Sequence, residues 1–290
     1  ASPDNFLWSS PALNGNALYT SVASFGDCPL VQGMVVELNA ATGAIQNTFD
    51  TVPNGCIGGG VWGSPTIDAG DGSVYVVTGN PGCGQSGSLA PSIIKLSASL
   101  TLVSSWTVPA AQQSAGDADF GSTPTLFTAV IGGQARLLVG AVNKDGIFYA
   151  WDRTNLAAGP VWQTTIATGS GDPFAGSIIS AAYDGSRLYV GGGNTTINGS
   201  SCQGSIDALD PATGNFLWRS CRSAHVSAGN IAVPGVVVAA VGSALVFLNA
   251  SNGTQLFSYS VPGQIQGSAN VSGGIVYIPV TNGSVVALGQ

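Results

Sequence analysis

The sequence is short of charge. Of its 290 residues only 7 are Lys or Arg, 14 are Asp or Glu and one is His. Lys, Glu and Arg normally furnish the solvated face of a helix, so long amphipathic helices are excluded as the main element. A net charge of −7 with so few cations also excludes nucleic acid as a partner, since that affinity comes from Lys and Arg on phosphates. The single histidine, His225, rules out multi-histidine metal sites. No Gly-x-Ser-x-Gly elbow supports a Ser–His–Asp triad, and His225 reads as a hydrogen-bonded surface residue opening a strand. No CxxC or CxxCH is present, which removes zinc ribbons and covalent haem attachment. No run of about 18 apolar residues is free of Gly or polar breaks, so none reads as a membrane-spanning segment.

What is abundant is equally directive. Hydrophobic residues reach 44% against 7% charged, the opposite of a disordered composition. They fall in short runs of Val, Ile, Thr and Tyr cut by 42 glycines and by Asn and Pro, which predicts an all-β chain of many short strands. Ala1-Ser2-Pro3 reads as a mature end left after cleavage.

One motif recurs: a hydrophobic strand, an Asx-x-x-x-Gly turn, and a strand carrying an aromatic residue. Its clearest copy runs from Ser205 through Asp210 and Gly214 to Trp218. Others run from Val35 through Gly43 to Phe49, from Ile93 to Trp106, from Ile147 to Trp162, and from Val246 through Gly253 to Phe257. A sixth is split between the C-terminal Ser284-Val285-Val286-Ala287-Leu288 and the N-terminal Asn5-Phe6-Leu7-Trp8. A second strand pair precedes each motif, as in Ser64-Pro65-Thr66-Ile67 followed by Ser73-Val74-Tyr75-Val76. Four strands per repeat predict blades of a propeller. The expected architecture is therefore a six-bladed β-propeller forming a single domain over residues 1–290, its ring closed by the N-terminal strand beside Val285-Val286-Ala287. Membership of a larger, eight-bladed ring is the alternative. Insertions between second and third strands are expected at Pro81 to Pro91 and Asn194 to Gly204, on a loop-bearing face where function is usually placed.

The five cysteines are assigned by repeat position. Cys28 and Cys202 precede third strands, and Cys56 and Cys221 follow or end fourth strands. Disulfides Cys28–Cys56 and Cys202–Cys221 are thus expected, with Cys83 left over because the exit loop of its blade, Pro109 to Gly116, holds no cysteine. Such bridges imply an oxidising location: extracellular, cell-surface or periplasmic. Six Asn-x-Ser/Thr sequons, at Asn194, Asn198, Asn249, Asn252, Asn270 and Asn282, matter only in a host that glycosylates secreted proteins.

The informative stretches are Gly60-Val61-Trp62-Gly63-Ser64-Pro65, Val77-Thr78-Gly79-Asn80-Pro81, Asp117-Ala118-Asp119-Phe120-Gly121, and Asn143-Lys144-Asp145-Gly146-Ile147-Phe148-Tyr149-Ala150-Trp151-Asp152-Arg153-Thr154-Asn155. Trp62 and Asp119 stand before first strands, Asn80 and Lys144 at the ends of second strands. An aromatic, a carboxylate, an amide and a cation are therefore expected to converge on one face. Over roughly residues 28 to 155 the chain resembles the quinoprotein alcohol dehydrogenases and their polyvinyl-alcohol-dehydrogenase-like relatives, whose repeats are of the PQQ type. The resemblance implies that Trp62 stacks on pyrroloquinoline quinone (PQQ) and Asn80 ligates calcium. It implies too that Asp119 is the base that takes the alcohol proton and reaches the same calcium, while Lys144 bonds the quinone oxygens. Three departures accompany it. Cys28 falls where that family has a glutamate calcium ligand, the adjacent Cys-Cys disulfide over the cofactor is missing, and Lys144 replaces the usual Arg.

Two functions follow. One is a secreted oxidoreductase using PQQ and calcium on a small-molecule or polymeric alcohol, with Asp119 catalytic. The other is a non-catalytic extracellular binding or surface-structural propeller, open to self-association into filaments, in which Trp62 covers the core and Asp119 and Asn80 cap turns.

Overall fold

The computed structural model describes residues 4–84, 86–113, 117–169 and 177–289. The first three residues, and parts of the expected Pro81–Pro91 insertion and Pro109–Gly116 loop, lie outside the described residues. The chain divides into two compact units. The first is residues 1–126, 137–141 and 150–161; the second is residues 127–136, 142–149 and 162–290.

The first unit holds two complete four-stranded sheets. In order they are β1 (Ala12–Asn14), β2 (Ala17–Val22), β3 (Met34–Asn39) and β4 (Ile45–Asp50), then β5 (Thr66–Ile67), β6 (Val74–Val77), β7 (Ser92–Leu96) and β8 (Leu102–Thr107). A third sheet, β9 (Thr125–Ile131), β10 (Gln134–Val142), β11 (Ile147–Asp152) and β12 (Trp162–Thr165), is divided between the units. The second unit continues with β13 (Ala182–Tyr183), β14 (Leu188–Gly192), a hairpin of β15 (Thr195–Ile197) and β16 (Ser200–Cys202), then β17 (Gly204–Leu209) and β18 (Phe216–Arg222). It ends with β19 (Val226–Val233), β20 (Val236–Val241), β21 (Ala244–Asn249) and β22 (Gln255–Ser260), and with β23 (Asn270–Ser272), β24 (Ile275–Pro279) and β25 (Val285–Leu288). Five sheets have four strands in meander order, β15 and β16 interrupting the fourth as a hairpin of their own, and the last sheet has three strands among the described residues.

The strands form where the alternation expects them. Inner strands are apolar and buried, as in β6, where all four residues are buried, while fourth strands such as β4 are largely exposed. Faces of successive sheets share one core. In the first unit Tyr19 and Val35 pack with Val74, Val76, Ile94 and Leu96. In the second, Tyr189, Ile206 and Trp218 pack with Val226, Val237, Val246 and Leu248. Burial of each such side chain contributes about 1.5–3 kcal/mol.

The recurring turn has a physical cause. Asp210 Oδ1 accepts from the backbone N–H groups of Ala212 and Thr213, and Gly214 N–H donates to Asp210 O, which requires Gly214 at φ 72°. Asn39–Gly43 and Asn249–Gly253 repeat the geometry, with φ 72° at both glycines. The glycine does a second job in the second unit. The Trp162 ring lies on Gly214 and bonds Pro211 O through Nε1 at 3.1 Å; the Trp218 ring lies on Gly253 and bonds Ala250 O at 3.0 Å. Phe49, Trp106, Trp162, Trp218 and Phe257 all fall on fourth strands, as the repeat predicts.

The sixth anchor does not behave as expected. Phe6 forms an antiparallel bridge with Ala23, exchanging bonds of 2.8 and 3.0 Å, and Trp8 Nε1 donates to Ser24 O at 2.9 Å. The segment Asn5–Trp8, expected as the fourth strand of the last sheet, lies along the continuation of β2. The Trp8 ring also stacks on Phe25, with centroids 5.3 Å apart.

The disulfide expectation is half corrected. Cys202–Cys221 is formed, but Cys56 bonds Cys83 and Cys28 is a free, exposed thiol, so Cys28–Cys56 is overturned. The segment leaving β4 pairs with the β6–β7 insertion rather than with its own sheet: Gly58 bridges Pro81, and Gly82 N–H donates to Ile57 O at 3.0 Å. That brings Cys56 to Cys83, whereas Cys202 is folded back by the β15–β16 hairpin onto β18 of the same sheet.

Candidate functional site

Three backbone segments of the first unit are laced together around Trp62, Asn80 and Asp119. Val61 N–H donates to Val22 O at 3.1 Å, Gly79 N–H to Gly60 O at 2.8 Å, Gly59 N–H to Asn80 O at 2.7 Å, and Phe120 N–H to Thr78 O at 3.2 Å. Each segment leaves or enters a strand, so their order follows from the sheets.

Trp62 is half-buried, and its six-membered ring sits where a Cβ on residue 121 would be, so only glycine fits at Gly121. Asp119, buried at 7% exposure, accepts the backbone N–H of Asn80, and its carboxylate lies where a Cβ on Gly79 would press at 2.9 Å. The Asn80 side chain donates through Nδ2 to Asp117 Oδ1 at 2.7 Å. The structure thus brings Trp62, Asn80 and Asp119 into one neighbourhood of one unit. It adds Asp117, whose signal was the Asp-x-Asp spacing of Asp117-Ala118-Asp119.

Lys144 belongs to the second unit. It is buried at 4% exposure in the β10–β11 turn, where Asp145 N–H donates to Asn143 Oδ1 at 2.9 Å and Ile147 N–H to Asp145 Oδ1 at 2.8 Å. Tyr149 Oη donates to Asp145 Oδ2 at 2.8 Å. Burial pushes the Asp145 carboxyl up, and burial with the Asp145 charge beside it pushes the Tyr149 phenol up as well. His225 precedes β19; its carbonyl accepts Gly242 N–H at 3.0 Å.

Calcium takes six to eight oxygen ligands. Here one Asp119 oxygen is taken by a backbone amide, one Asp117 oxygen by the Asn80 amide, and the position of the family's glutamate is the exposed thiol of Cys28. A thiol is a soft donor that a hard cation does not prefer. Among the described residues no group of three or more His, Cys, Asp or Glu is placed to hold a metal. The residues present do not fit a calcium cage, and no step is drawn through one.

Comparison with known proteins gives two kinds of likeness. Residues 203–290 match a PQQ-repeat family described as "Outer membrane protein assembly factor BamB". The Burkholderia pseudomallei (strain K96243) protein of that description is 28% identical over 127 residues, 44% of this chain and 30% of the relative. Among solved structures, quinohemoprotein alcohol dehydrogenase ADHIIG from Pseudomonas putida HK5 superposes with a TM-score of 0.76 at 14% identity, over 94% of this chain and 55% of that one. BamB from Moraxella catarrhalis gives 0.54 at 17% identity, over 98% and 85%. The chain spans about a third of the curated relative and about half of the dehydrogenase. At these identities the structural likeness shows the propeller fold alone.

Proposed function

We propose that the chain, whose residues 203–290 match a PQQ-repeat family, is a non-catalytic propeller scaffold of an oxidising, extracytoplasmic compartment. In this reading residues 1–290 form one domain of six repeats, and Trp62, Asn80 and Asp119 act as a structural clasp. The observation that carries it is the thin ligand set: the position of the family's glutamate is the exposed thiol of Cys28, and among the described residues no group of three or more His, Cys, Asp or Glu is placed to hold a metal. The two disulfides support the compartment.

The work of the scaffold falls to exposed aromatic surface. Phe6, Leu7, Trp8 and Phe25 are 38%, 64%, 52% and 57% exposed, and Trp8 stacks on Phe25 at 5.3 Å. Contiguous apolar surface of this kind marks binding sites for other chains. The relative's role as an outer membrane protein assembly factor points to extended, amphipathic strands as the ligand.

Two measurements test the reading. The purified chain, incubated with calcium and PQQ and desalted, is expected to retain no visible chromophore and to show no alcohol-dependent dye reduction. Dye reduction abolished by Asp119→Asn would replace the scaffold with a dehydrogenase. A peptide of alternating Val and Thr is expected to quench Trp8 fluorescence, and Phe25→Ser to weaken that binding; no binding to either protein sinks the assembly role.

A further inference from the structure

In the second unit a cavity of about 260 Å³ opens where the end of β18 meets the β20–β22 sheet. Its apolar lining includes Val241 and Val246, exposed at 9% and 4%, and Ser223 and Ser258 line it as well. Arg222, the last residue of β18, supplies its only formal charge. The wall at Cys221 is held by the disulfide to Cys202.

Arg222 is an unusual cation in this chain. Lys95, Arg153 and Arg219 are paired with Asp71, Asp68 and Asp207. The Arg222 guanidinium instead meets neutral groups: Nη1 donates to Gln255 Oε1 at 2.9 Å and Nη2 to Ser220 Oγ at 2.5 Å. Its Nε–H is buried with no acceptor. Burial alone pulls its basicity down, with no carboxylate among the described residues to oppose it. A half-buried cation that lines a cavity and meets no counter-charge among the described residues is an arrangement that an anion would relieve.

We propose that this cavity binds a monocarboxylate with a short apolar body, the carboxylate on Arg222 and the body against Val241 and Val246. One guanidinium matches one carboxylate fork. The apolar wall excludes a bare inorganic anion as the preferred ligand, and the net charge of −7 disfavours a phosphate dianion held by one cation. A volume near the lower end of ligand pockets, about 300 Å³, sets the size. Free acids and the C-terminal carboxylate of a peptide share this chemistry. The site is independent of the scaffold reading.

The test is a titration of the full chain, followed by amide NMR shifts at Ser223, Ala244 and Ser258. The probes are sodium butyrate, butyramide, sodium chloride at equal ionic strength, and acetyl-valine with its carboxylate free. Butyrate is expected to give saturable shifts, butyramide and chloride none, and Arg222→Gln to weaken butyrate at least about tenfold. Binding by acetyl-valine as well assigns a peptide end as ligand; binding by butyrate alone assigns a free acid. Absent saturation, equal response to chloride, or unchanged affinity in Arg222→Gln overturns the proposal. Should Arg222→Gln not fold, Ala244→Leu, which narrows the cavity and keeps the charge, must abolish butyrate binding.

Discussion

The Asn80 side-chain amide donates to Asp117 at 2.7 Å, tying the exit of β6 to the segment that leads into the third sheet. A charge-assisted bond of this kind contributes about 1.5–3 kcal/mol, less where it is partly exposed. Asn80→Ala is therefore expected to lower stability by about 1–2 kcal/mol in urea unfolding. Asn80→Asp should cost more, because it sets a third carboxylate beside Asp117 and Asp119. Calcium at millimolar concentration is expected to leave the melting temperature of the unmodified protein unchanged; a rise with calcium would restore Asn80 as a ligand.

The glycines of the repeat turns separate backbone strain from ring packing. Gly43 and Gly253 share φ 72°, but a Cβ at Gly43 meets nothing within 4 Å while one at Gly253 strikes the Trp218 ring. Gly43→Ala is expected to cost about 1–2 kcal/mol from the left-handed backbone alone. Gly253→Ala adds about 1–3 kcal/mol of overpacking, and Gly121→Ala beneath Trp62 carries the overpacking term without positive φ. Equal losses at Gly43 and Gly253 in chemical denaturation would show that Trp218 yields freely.

Thiol chemistry has a definite count. Mass spectrometry of the alkylated, non-reduced protein should find label on Cys28 alone, and Cys28→Ser should leave both disulfides and the melting temperature intact. Replacing Cys56 and Cys83 together by Ala opens a loop of separation 27, and the expected loss is about 3.5 kcal/mol from chain entropy. A peptide linking Cys28 to Cys56 would return the assignment to the repeat rule.

Asp207 gives a pH dependence. Burial pushes its carboxyl up to about 6, against the opposing effect of Arg219 at 3.2 Å. A carboxyl raised above its unfolded value binds a proton more readily in the folded state. Its contribution to stability is then fully present below about pH 4 and is lost as pH rises through about 6. The melting temperature of the native chain, measured relative to Asp207→Asn, should be more favourable at pH 4.5 than at pH 7. A difference that is flat or of opposite sign between those values contradicts the burial of an undercompensated carboxyl.

Composition and period determined the class of fold, the four-strand repeat and the aromatic anchors from Phe49 to Phe257, because alternation and the Asx-x-x-x-Gly turn are local: Asp210 and Gly214 make their bonds within five residues. The meeting of Trp62, Asn80 and Asp119 was legible too, since strand ends carry their residues to a common edge. What they do there was not. Whether Cys56 reaches Cys28 or Cys83, and whether Ala23 takes Phe6 as a partner, do not follow from the repeat scheme. Only the tertiary structure decided them, because each turns on which neighbouring segment offers a free amide, a thiol or a ring face within a few ångströms, a quantity that sequence separation does not encode.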